Sequence, residues 1–125
     1  MKVRIDLGAE APAWRQIADQ IREHLVAGRL RPGAKLATVR ELAIDLGVNH
    51  NTVATAYNRL AEEGFLRLVR GVGAEVLDRE APRAAAEEVD RFSRRLGTLV
   101  AEARASGVPV PALQSALLEA VAVLS

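Results

Sequence analysis

The residues best suited to do chemistry lie in one stretch. Between Gly47 and Gly64, Asn49, Asn51, Thr52, Thr55 and Asn58 form a face of short polar side chains. A helix that only needs solubility fills that face with charge. Asn carries a paired donor and acceptor that fits the edge of adenine, and Thr offers a hydroxyl together with a methyl that can meet thymine. Cations stand nearby. Arg29, Arg31, Lys35 and Arg40 fall in twelve residues that contain no acid, and Arg67 and Arg70 lie in the acid-free stretch 64–74. In a chain of net charge +1, such local patches fit phosphate contacts better than a general polycation does.

Other chemistries find little support. With no cysteine there is no disulfide, thiol nucleophile or sulfur ligand. His24 and His50 are the only histidines and neither has a second ligand at metal-binding spacing, so no metal and no cofactor is expected. No Gly-rich phosphate loop precedes a helix, and Ser93, Ser106 and Ser115 lack the setting of a nucleophile. The chain therefore does not read as an enzyme. The first twelve residues lack the apolar core of a signal peptide, and eighteen apolar residues never run together. A cytoplasmic protein with no membrane partner is expected.

The elements that must position the polar face follow from spacing. Trp14, Ile17, Ala18, Ile21 and Leu25 form one stripe of a first helix, opened by Pro12 and closed by Gly28. A turn at Pro32–Gly33 follows. Thr38 caps a second, short helix, with Glu41 completing a capping box and Val39, Leu42, Ala43 and Leu46 facing inward. Gly47 ends it, and a third helix starts at Asn49 or Asn51. Two helices joined by so short a turn make a helix-turn-helix. The third helix buries Val53, Ala56, Tyr57 and Leu60. Alternation at Leu66–Val69 and Ala74–Leu77, broken by Gly71–Val72–Gly73, then reads as a β-hairpin wing.

The stretch Asp78–Pro82 marks a boundary, dividing residues 1–78 from residues 79–125. A fourth helix is expected over about 83–106, with Val89, Phe92, Leu96, Leu99 and Ala103 at the three-four spacing of a helix-pairing seam. The Pro109 and Pro111 segment predicts an extended break. A fifth helix follows over 112–124, with Leu113, Leu117, Ala120 or Val121, and Leu124 inward. Two such helices cannot close a core alone. They either pack back on residues 1–80 or pair with a second copy, and the sustained seam favours a homodimer with a two-fold axis. The fold class is mainly α: three helices and a wing, then a two-helix dimerisation region.

In a winged helix-turn-helix, the third helix enters the major groove with its first residues nearest the bases. Asn49, His50, Asn51 and Thr52 hold those positions, and Thr55 and Asn58 extend the surface. Capping of the helix by Asn49 or Asn51 is the competing role, and the two roles coexist through different atoms. Arg40 reaches phosphate or guanine unless a nearby acid pairs it. Lys35 and Arg70 read as backbone contacts that position without specifying. At a phosphate-facing helix start, protonation of His50 would tighten binding as pH falls; a neutral hydrogen-bonding or packing histidine would not.

Residues 13–76 resemble the DNA-binding domain of the GntR family of bacterial transcription regulators. The resemblance rests on Gln16-Ile17 with Ile21, Gly28-x-Leu30-x-Pro32-Gly33, Arg40-Glu41-Leu42-Ala43, Asn51-Thr52-Val53 and a wing in Gly71-x-Gly73, in that order. The short tail is similar to that of the YtrA-type branch. The resemblance implies a transcription regulator, more specifically a homodimeric repressor on a double-stranded, pseudo-palindromic DNA operator. Arg40, Asn49, His50, Asn51, Thr52 and the wing from Arg70 through Gly71 to Gly73 are its implied contacts, and Thr38 is read as a DNA contact beside its capping role.

Leu36-Ala37-Thr38 replaces the family's usual Leu-Pro-Ser. Val72 fills a wing position that is often basic or polar. His50 stands where many members have Arg or Pro, and Ala54 where some have a base-reading Arg, which predicts a lower guanine dependence of the operator. No cluster of charges in 81–125 announces a small-molecule effector. The alternative is a winged helix used only for protein–protein contact, which would lack a steep salt dependence of duplex binding.

Overall fold

The computed structural model describes residues 1–71 and 73–124. Its elements are α1 (Ala13–Val26), β1 (Lys35–Leu36), α2 (Val39–Leu46), α3 (His50–Glu62), β2 (Leu66–Val69), β3 (Gly73–Val76), α4 (Ala86–Ala105) and α5 (Val110–Ala122). They divide into two compact units, Met1–Arg79 and Glu80–Ser125.

In the first unit the apolar stripes meet as their spacing requires. Ile17, Ala18 and Ile21 of α1 and Leu42 and Ala43 of α2 are buried, with Leu25, Val39 and Leu46 packed partly against them. Val53, Ala56, Tyr57 and Leu60 of α3 have no exposed surface, so α3 is the central helix. Fully burying each large side chain contributes roughly 1.5–3 kcal/mol. Trp14 is only half-buried, with the Arg59 guanidinium 5.4 Å from its ring centre. Gly47 ends α2 in the left-handed region at φ 68°, where a side chain would be strained, and Val48 N–H returns to the Ala43 carbonyl at 3.1 Å.

The sheet has three antiparallel strands in the order β1-β3-β2, one more than the hairpin predicted from sequence. Lys35 and Leu36, expected in a turn region, pair with Glu75 and Ala74. The second strand of the wing also starts one residue earlier, at Gly73. There the chains approach closely: a Cβ on Gly73 would lie 2.5 Å from the Leu36 carbonyl oxygen, and φ is 108°. Only glycine fits.

The amino-terminal segment is held by side chains that imitate a strand. Gln20 accepts from Arg4 N–H at 2.9 Å and donates to the Arg4 carbonyl at 2.6 Å. Gln16 does the same with Asp6 at 2.8 and 2.9 Å. Residues four apart on a helix lie about 5–6 Å from each other. That is close to the two-residue repeat of an extended chain, roughly 6.5 Å, so two glutamines can satisfy alternate peptides. Val3 and Ile5 pack against the core.

In the second unit, α4 starts at Ala86 rather than near Arg83, and α5 starts at Val110 rather than Ala112. Pro109 caps α5 and Pro111 sits in its first turn, where a missing N–H costs nothing. The second proline therefore opens the helix instead of extending the break. Among the described residues, neither α4 nor α5 contains a buried side chain. Leu96, Ala103 and Leu113 are half-buried; Val89, Phe92 and Leu99 of the expected pairing seam are exposed, as are Leu117, Val121 and Leu124, which were expected to face inward.

Candidate DNA-binding surface

The capping box of α2 forms as predicted. Thr38 Oγ1 accepts from Glu41 N–H at 3.1 Å, and Glu41 Oε1 accepts from Thr38 N–H at 3.1 Å. Hydrogen bonding to Thr38, its side chain first and its backbone second, holds the Glu41 carboxyl below its ordinary range. Among its predicted roles, Thr38 therefore serves first as the cap. Two residues on, Arg40 is exposed. Among the described residues it makes no ion pair, nor do Lys35 and Arg70.

At the start of α3 the choice between Asn49 and Asn51 is resolved. Asn49 is the N-cap, its Oδ1 accepting from Asn51 N–H at 2.8 Å. The Asn51 side chain is left exposed on the first turn beside His50, with Thr52 half-buried. Thr55 and Asn58 follow on the exposed face, and the Thr55 hydroxyl donates to the Asn51 carbonyl at 2.8 Å. Ala54 is half-buried. The polar face thus lies opposite the four wholly buried residues of the same helix.

The wing divides its predicted contacts. Arg70 and Gly71 are exposed near the tip, while Gly73 is half-buried against β1 and owes its identity to that packing. Val72, one of the departures from the family pattern, lies outside the described residues. Arg67 pairs with Glu75 across the ladder, and this pairing, with Lys35 behind it, holds the Glu75 carboxyl low. The acid-free stretch in sequence is therefore not acid-free in space.

Between α2 and the wing runs an open cleft of about 560 Å³, lined by Thr38, Arg40, Tyr57, Leu68, Arg70 and Gly71 among others. Leu68 was expected only as part of the alternation along Leu66–Val69. It faces the small Ala74 across the ladder and stays partly exposed on the cleft. A second depression of about 500 Å³ joins Arg40 to Asn49 and His50. Arg40 thus lines both. No helix among the described residues is long and apolar enough to cross a membrane.

A helix-turn-helix with an exposed amide-rich third helix, unpaired cations and a β-wing defines a DNA-binding transcription regulator of the winged-helix class. The model of the gntR family of bacterial regulatory proteins matches residues 14–76. The transcriptional repressor YtrA of Bacillus subtilis (strain 168) is 31% identical over 117 residues, 94% of this chain and 90% of its own length. Among solved structures, the GntR-family transcription factor YtrA from Sulfolobus acidocaldarius is 40% identical, with a TM-score of 0.61 over 74% of this chain and 94% of its own. AraR(DBD) in complex with operator ORX1 is 26% identical, with a TM-score of 0.53 over 61% of this chain and 95% of its own. The chain belongs to the GntR family, whose members are regulators and not enzymes.

Proposed function

We propose that the chain is a cytoplasmic, homodimeric repressor that binds a pseudo-palindromic operator, inserting α3 in the major groove and laying the wing along the backbone. One observation carries the DNA-binding geometry: α3 buries one face completely and leaves Asn51, Thr55 and Asn58 exposed on the other. Asn51 and His50 on the first turn are nearest the base edges, Thr52 and Asn49 border them, and Lys35, Arg40 and Arg70 neutralise phosphates. The Asn49 side chain keeps its amide N–H groups for DNA while its oxygen caps the helix. With His50 and Ala54 at positions that carry Arg in some relatives, the operator depends less on guanine.

The dimer reading is supported by the exposed apolar row Val89, Phe92, Leu99, Leu117 and Leu124, with Leu96, Ala103 and Leu113 completing the seam. The Bacillus relative, which spans nearly the whole chain, is a transcriptional repressor. Selection of bound sites from random duplex DNA tests the reading. It should return an inverted repeat whose binding weakens steeply with salt. Recovery of no consensus, or of binding indifferent to salt, overturns it.

A further inference from the structure

We infer that Tyr57 is a positioning residue that sets the wing and the α2 start against the reading helix through the Leu36–Ala37 segment. The inference rests on the reading of α3 and the wing as the DNA-binding surface. Tyr57 has no exposed surface, and its hydroxyl donates to the Ala37 carbonyl at 2.8 Å. That carbonyl lies where β1 passes into the Thr38 cap of α2. The wing rests on the same two residues: Leu36 pairs with Ala74, and a Cβ on Gly73 would meet the carbonyl oxygens of Leu36 and Ala37 at 2.5 and 3.1 Å. Tyr57 also lies at the floor of the cleft lined by Arg40 and Arg70. Three DNA-facing pieces therefore meet on one short segment, and a single side chain from α3 fixes it.

Packing alone does not call for this hydroxyl. The apolar spacing of α3 needs an aromatic or aliphatic group at position 57, and phenylalanine would fill the same volume. What the hydroxyl adds is a fixed place for one partly buried carbonyl, whose hydrogen bond would otherwise be left to water at the cleft. Burial also keeps the proton on the phenol through the working range.

The test is a double-mutant cycle in the full chain with Tyr57→Phe and Arg70→Ala, using a selected operator duplex and a scrambled duplex. Each single change should weaken operator binding about five- to tenfold and lower the salt slope by about one. The double variant should lose less than the sum of the two single losses, because the wing contact is common to both changes. Scrambled-duplex binding should weaken by a similar factor, since a backbone contact is what the wing supplies, while the helical circular dichroism of Tyr57→Phe should keep its wild-type value. Additive losses, or a Tyr57→Phe that binds like wild type while Arg70→Ala does not, overturn the positioning role and leave the wing reading standing. An Arg70→Ala variant with wild-type affinity overturns both.

Discussion

Arg22 and Glu63 form a two-bond ion pair, with Arg22 Nε to Glu63 Oε1 at 2.8 Å and Nη2 to Oε2 at 2.7 Å. Asp19 accepts a third bond from the same guanidinium at 2.9 Å. The pair ties α1 to the end of α3, and its bonds to Glu63 keep the guanidinium firmly protonated. Each side chain is 31% exposed, so the pair sits between a surface bridge and a buried one. Glu63→Gln should therefore cost about 1 kcal/mol, lowering the melting temperature by roughly 4–8 °C in a unit this size. Calorimetry checks the value. Operator preference should not change, because neither residue lies on the polar face of α3.

The α2 cap has a pH signature. A carboxyl held below its ordinary range contributes stability that is present above the ordinary value of 4.5 and is lost as pH falls through the depressed one. Glu41 should titrate below 4.5 in NMR carboxyl shifts. Thr38→Ala should return it toward that value and cost about 1 kcal/mol of stability.

Tyr57 gives the opposite sign at the other end of the scale. It is the only tyrosine, and burial, with the Glu41 charge second, pushes its hydroxyl from 10.0 up to about 12. Its contribution is complete below the unfolded value and is lost as pH rises through the folded one. Tyrosinate absorbance should titrate near 12 in the folded protein and near 10.0 in denaturant. One midpoint shared by both states would contradict the burial.

Asn51→Ala and Arg40→Ala should fail in different ways. Loss of a base-reading amide should cost about 1–3 kcal/mol at one operator position and relax preference there. If Arg40 holds a phosphate, its loss should weaken all duplexes alike and lower the salt slope by about one. Binding titrations against single-base operator variants at two salt concentrations separate the two patterns.

For the second unit, Phe92→Glu combined with Leu99→Glu should convert a species of twice the chain mass into one of single mass in sedimentation equilibrium. Both side chains are more than 60% exposed in the single chain. The change should leave helix content intact and weaken operator binding through loss of the second half-site. A wild-type monomer at micromolar concentration would remove the dimer from the proposed function.

How much of this was legible before the structure depended on distance along the chain. The stripes of α1, α2 and α3, the Thr38–Glu41 box and the Gly47 turn are local, and their residues stand where spacing put them. The strand at Lys35–Leu36 was not legible, because two residues show no alternation and the partners lie at Ala74 and Glu75. The same ladder brings Glu75 to Arg67, which the acid-free run around Arg67 concealed. Gln16 and Gln20 gave no sign of clamping Arg4 and Asp6, since a helical glutamine has no preferred partner in sequence. In the polar face, the exposed place of Asn51 on the first turn of α3 was legible. Gly73, equally singled out, takes its identity from the backbone it packs on.

At the close of the first unit, the Arg79 guanidinium donates through Nε to the Glu63 carbonyl at 2.9 Å and lies 4.1 Å above the Phe65 ring. That clasp makes Arg79 the natural seam for building hybrids. A fusion cut after Arg79 carries away a unit whose α3 is still terminated by its own residues. A cut a few positions earlier leaves the Phe65 ring and the Glu63 carbonyl bare, so the graft would loosen at the end of α3.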